Sequence, residues 1–187
     1  MSKKLKFIIT TIWLLFSRSY DAYCTYLLTP DLSKEANPLV TILGVSSWTP
    51  LLIILSVLTI YVIYAYFISI FRPMNLLPQE KGYTFSNFVA YLYLGVKDHW
   101  TSTLYKLPKD INRLNNYMGH ILTKCLVFAG MVSTIMWVLI NNSAFYKTFH
   151  SAPLIYAILI IGCISITYNW NKSMYRQYLA NSSNHKA

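Results

Sequence analysis

The sequence predicts an all-α, polytopic integral membrane protein: four transmembrane helices and a cytoplasmic interfacial amphipathic helix, forming a single membrane domain over residues 1–187. Three observations predict it. Hydrophobic residues make up 55% of the chain and charged residues 12%, with a mean hydropathy of +0.40, a balance that soluble domains of this size seldom show. The apolar residues gather into runs long enough to cross a hydrocarbon layer of ~30 Å at about 1.5 Å per residue. The basic residues, finally, fall on alternate sides of those runs.

The first span is expected from about Leu5 to Leu28, behind Lys3, Lys4 and Lys6. Its start resembles a signal peptide, but Arg18 stands between the small residues Ser17 and Ser19 where cleavage would fall, so the span is expected to stay uncleaved. The second runs from about Thr49 to Phe71 and stops at Arg72-Pro73, because proline cannot continue a helix. The third runs from about Met118 to Ile140, closed by Asn141-Asn142-Ser143, and the fourth from about Pro153 to Trp170, with proline in its first turn. Between the second and third, Phe85, Phe88, Leu92, Val96, Trp100 and Leu104 recur at helical spacing, which predicts the amphipathic helix over about 84–105, on the inner membrane face or beneath the bundle.

Orientation follows from charge. Lys3, Lys4, Lys6, Arg72, Lys81, Lys97, Lys106, Lys109, Arg113, Lys172, Arg176 and Lys186 lie on one side and only Lys34 and Lys147 on the other. The positive-inside bias then places both termini and the central segment in the cytoplasm, in a bacterial-type cytoplasmic (inner) membrane. The net charge of +10 is met by anionic lipid headgroups. No dense Arg/Lys block calls for nucleic acid.

Arg18 and Asp21 interrupt the first apolar run, three residues apart. From an entry near Leu5, Arg18 lies about 20 Å along the helix. A lone charge at the bilayer centre costs about 2.5–3.5 kcal/mol, so such a pair marks a site. Thr11, Arg18, Asp21 and Thr25 share one stripe, and arginine before aspartate is the weaker order for an intrahelical pair, which points to a partner on another helix. The loop from Thr29 to Pro38 can fold Glu35 and Asn37 over Asp21 and Thr25, with Asp31 as a turn cap and Asn37 held extended by Pro38. The candidate catalytic residues are Asp21 and Glu35. The candidate binding residues are Arg18, Thr25 and Asn37.

The order Asp21-x-x-x-Thr25, then Glu35-x-Asn37-Pro38 before Gly44, resembles a pattern in small, uncharacterised bacterial multi-span membrane proteins of the domain-of-unknown-function type. The resemblance covers about 25 residues, and it implies a helical membrane fold without an assigned reaction.

Other chemistry finds little support. Cys24, Cys125 and Cys163 have no C-x-x-C spacing and read as small buried hydrophobes. His99 beside Asp98 lacks further ligands, His120 reads as an interfacial residue near Lys124, and His150 and His185 stand alone. No metal and no cofactor is expected. Spans two to four contain no Asp or Glu, so an enzyme would work from one helix and one loop. The favoured reading is a small non-catalytic component of a membrane assembly, whose outer polar cluster orients the bundle or docks a partner. Its partners are the bilayer and another membrane protein or a second copy, with Gly119, Ala129, Gly130 and Gly162 allowing close helix approach. The alternative is an intramembrane or interfacial enzyme on a lipid-type substrate, and a small oligomeric transporter ranks behind both.

Overall fold

A computed structural model describes residues 1–33 and 37–184, with side chains up to Ser182. Every regular element among them is helical: α1 (Lys3–Leu28), α2 (Pro38–Thr41), α3 (Trp48–Phe71), α4 (Phe85–Leu94), a 3-10 turn (Trp100–Leu104), α5 (Ile111–Asn142), α6 (Ala144–Phe149) and α7 (Ala152–Asn184). Three helices are long and apolar enough to cross a membrane, within Trp48–Phe71, Ile111–Asn142 and Ala152–Ser182. Helix α1 matches the first expected span in length. Its lysines, Arg18, Asp21 and hydroxyl residues make it more polar than the other three.

Two helices outrun their apolar stretches. Helix α5 starts at Ile111 rather than near Met118, because Asp110 caps it: the Asn112 and Arg113 amides donate to Asp110 Oδ1 at 2.9 and 3.3 Å. Its polar first turns are buried and paired. Asn116 donates to the Arg72 carbonyl at 3.3 Å and accepts from the Met74 amide at 3.1 Å, tying down the chain that leaves α3. Helix α7 continues beyond Trp170 to Asn184, since residues 171–184 contain no proline or glycine to stop it.

The chain forms two compact units, Met1–Ile63 with Cys125–Cys163, and Tyr64–Lys124 with Ile164–Ala187. In the first, α1 and α5 run side by side and in parallel. Their contacts climb together: Trp13 against Val127, Ser17 against Gly130, Arg18 against Ser133, Asp21 against Trp137, and Cys24 against Asn141. Gly130 is required in this seam, because a Cβ there would lie 2.5 Å from Ser17 Oγ. At the far end of α1, the Trp48 ring packs edge-on against Tyr26 at 5.4 Å and donates to the Thr29 carbonyl at 3.3 Å.

The second unit is built around α4. Phe88, Ala90 and Leu92 are fully buried, and Phe88 packs against Tyr175 and Tyr178 at 5.2 and 5.4 Å. The Tyr178 hydroxyl donates to the Glu80 carbonyl at 3.1 Å and accepts from the Tyr83 amide at 3.2 Å. The helix expected over 84–105 is therefore corrected in length to Phe85–Leu94, and its Phe88 packs on α7. Gly95 ends it in the left-handed conformation (φ 79°), its amide bonded to the Tyr91 carbonyl. The apolar spacing continues past that break without an α-helix to carry it. Val96, Trp100 and Leu104 are exposed instead, as are Leu107 and Ile111.

Candidate functional site

The polar site of the first unit grows from α1. A helix turn of 3.6 residues sets Arg18 and Asp21 on one face, and the two are only loosely paired, Nη1 to Oδ2 at 3.8 Å. Each has a closer partner on α5. Arg18 Nη2 donates to Ser133 Oγ at 3.0 Å, and the Trp137 indole donates to Asp21 Oδ1 at 2.8 Å. Ser133 and Trp137 are four residues apart, so they too share a helix face, and both are buried. The partner on another helix that the Arg-before-Asp order called for is thus α5.

Thr25 and Asn37 are engaged in local backbone. Thr25 Oγ1 donates to the Asp21 carbonyl at 2.8 Å. Asn37 is extended (φ −62°, ψ 130°), as its proline neighbour dictates, and its side chain caps α2 by accepting from the Leu39 amide at 3.0 Å. Asp31 Oδ1 closes the preceding turn, accepting from Ser33 Oγ at 2.8 Å and from the Ser33 amide at 3.1 Å. These bonds, the Ser33 hydroxyl foremost, hold the Asp31 carboxyl below its ordinary range. Glu35, the second candidate carboxylate, lies outside the described residues.

Arg18, Asp21, Thr25 and Asn37 all line one cavity of about 610 Å³, together with Ser133, Trp137 and His150. Leucines and isoleucines of α1, α3, α5 and α7 form much of its remaining wall. Three of the polar members carried little signal in the sequence. Ser133 and Trp137 are ordinary helix residues until α1 is laid against them, and His150 stands alone in the chain while its Nδ1 is buried and without a hydrogen-bond partner among the described residues.

In the second unit, Asp98 accepts from Lys106 at 2.6 Å and from the His99 amide at 2.7 Å. His99 caps the 3-10 turn, its Nδ1 2.9 Å from Thr101 Oγ1. His120 stacks on Trp170 at 5.5 Å. Among the described residues no three His, Cys, Asp or Glu side chains gather where a metal ion could be held. Comparison of the chain with protein-family models, curated proteins and solved structures found no match.

Proposed function

We propose that the chain is a four-span membrane protein with both termini and the central segment on the cytoplasmic side, acting as a non-catalytic component of a membrane assembly. The observation that carries this reading is the parallel α1–α5 seam. Residues 13–24 of α1 lie beside residues 127–141 of α5, which belong to an apolar span. That pairing supports α1 as the fourth span, with one atom of each charged group bonded to a neighbouring helix. The exposed Trp100, Leu104 and Leu107, with Lys97, Lys106 and Lys109 among them, suit the inner headgroup layer, where aromatic rings and lysines are both favoured.

Arg18 and Asp21 in this reading fix the rotation of α1 against α5, and so determine which face the outer half offers a partner. The pair is partly exposed (27% and 32%) and adds little net stability, so its part in this reading is to favour one packing of α1. Catalysis by Asp21 is less well supported, because one of its oxygens already accepts from Trp137.

The test is a double-mutant cycle. Asp21→Ala and Trp137→Phe should each lower stability in detergent by about 1–3 kcal/mol, the cost of stranding a partner of a charge-assisted bond. Together they should cost less than their sum by about 0.5 kcal/mol or more, because they share that bond. Unchanged melting, with loss of whatever the protein does in its host, would replace the structural role with a working site.

A further inference from the structure

The Arg18–Asp21 network leaves one carboxylate oxygen without a close partner beside a large apolar space. Asp21 Oδ1 is taken by Trp137, while Oδ2 meets Arg18 Nη1 at 3.8 Å, beyond hydrogen-bond length. All three residues line the cavity of about 610 Å³, a size within the ~300–1,000 Å³ of ordinary ligand pockets. Leu51, Leu55, Leu126 and Leu159 form part of the rest of its wall. An apolar space with an unspent carboxylate oxygen beside a guanidinium suits an amphiphile.

We propose that this cavity binds one phospholipid with a zwitterionic, primary-amine head. The phosphate lies against the Arg18 guanidinium, the ammonium donates to Asp21 Oδ2, and an acyl chain lies along the leucines. Charge selects the head. Arg18 and Asp21 together carry no net charge, so a purely anionic head would meet the Asp21 carboxylate and a purely cationic one the Arg18 guanidinium. A head with both signs offsets both, and charge-assisted hydrogen bonds are the strong ones. A quaternary ammonium has no N–H for Asp21, which separates ethanolamine from choline heads.

The proposal rests on the membrane reading above, and its test reads binding, which stays separable from topology. The full chain in detergent is titrated with short-chain phosphatidylethanolamine, phosphatidylglycerol and phosphatidylcholine of matched acyl length, and with chain-free phosphoethanolamine, followed by melting shift and by native mass spectrometry. The ethanolamine lipid should bind about tenfold more tightly than the other two, the worth of one charge-assisted bond, and the chain-free head should produce no shift. Asp21→Asn should bring ethanolamine and glycerol lipids level. Leu55→Trp fills the apolar part without touching the ion pair, and should weaken ethanolamine-lipid binding at least about tenfold while leaving lipid-free melting unchanged or raised. Equal response to the three lipids, a full response to phosphoethanolamine alone, or unaltered binding by Leu55→Trp would each overturn the proposal. Should Asp21→Asn fail to fold, the lipid comparison and Leu55→Trp still decide it.

Discussion

Trp137 and Arg113 show how single residues acquire roles from partners distant in sequence. The Trp137 indole meets Asp21 across 116 positions. Arg113, one more basic residue of the central segment in the sequence, is 8% exposed and works as a clamp: its Nε donates to the Tyr91 carbonyl at 3.0 Å, its Nη2 to the Leu76 carbonyl at 2.7 Å, and its guanidinium lies 4.4 Å from the Tyr91 ring. Asp98 is the residue with the clearest acid signature. The Lys106 ammonium, then the Ser102 hydroxyl, pull its carboxyl down to about 2. Because the folded value lies below the unfolded one, the Asp98–Lys106 contact is fully present above the ordinary carboxylate range and is lost only as pH falls through about 2. Carbon-13 titration of the Asp98 carboxyl should give a midpoint near 2, and Lys106→Met should move it up toward ~3.9. An unmoved midpoint would assign the shift to the local turn. Arg18 and Asp21 were legible in the sequence because charge within an apolar run is conspicuous. Trp137 and Ser133 were not, because their polar atoms are ordinary until a second helix reaches them.

Among the elements, the small residues decide which helices approach closely. A Cβ at Gly119 would run into the backbone carbonyl of Ala65, one at Gly130 would crowd Ser17, and one at Gly162 would strike the ring of Phe128. Backbone has nowhere to go, a serine has little room, and a phenylalanine can turn aside. Alanine substitution should therefore destabilise in the order Gly119, Gly130, Gly162, across the range of about 1–3 kcal/mol for overpacked cores. Melting of the three variants in detergent checks the order, and a Gly162→Ala loss exceeding that of Gly119→Ala would reverse the argument. The spacing of small residues made close approach readable from sequence, though the partner helix was not. The ends of α5 and α7 were unreadable for another reason. Hydropathy marks the lipid-facing length of a helix, whereas Asn116, Tyr175 and Tyr178 extend theirs by pairing within protein.

For the whole molecule the prediction concerns the number of crossings, which the proposed reading puts at four. A reporter fused near residue 42 should lie on the opposite side from the N-terminus, one near residue 80 on the same side, one near residue 145 on the opposite side, and one after residue 184 again on the same side. A fusion near 42 that shares the side of the N-terminus would remove α1 from the spans and leave three. The basic residues carry this expectation, since twelve of the sixteen fall on one face of the proposed four-span arrangement.

The sequence by itself determined the helical membrane class, the approximate start and end of the apolar stretches, the expected orientation, and Arg18 and Asp21 as the residues to examine. Those are properties of composition, period and charge, which local physics dictates residue by residue. Tertiary structure alone decided that α5 is the partner of α1, that α4 is buried and ends at Gly95, that Thr25 and Asn37 serve local backbone, and that His150 joins Arg18 and Asp21 around one cavity. Each of these depends on which buried polar atom finds a partner, and that partner lies wherever the folded chain brings an atom to about 3 Å.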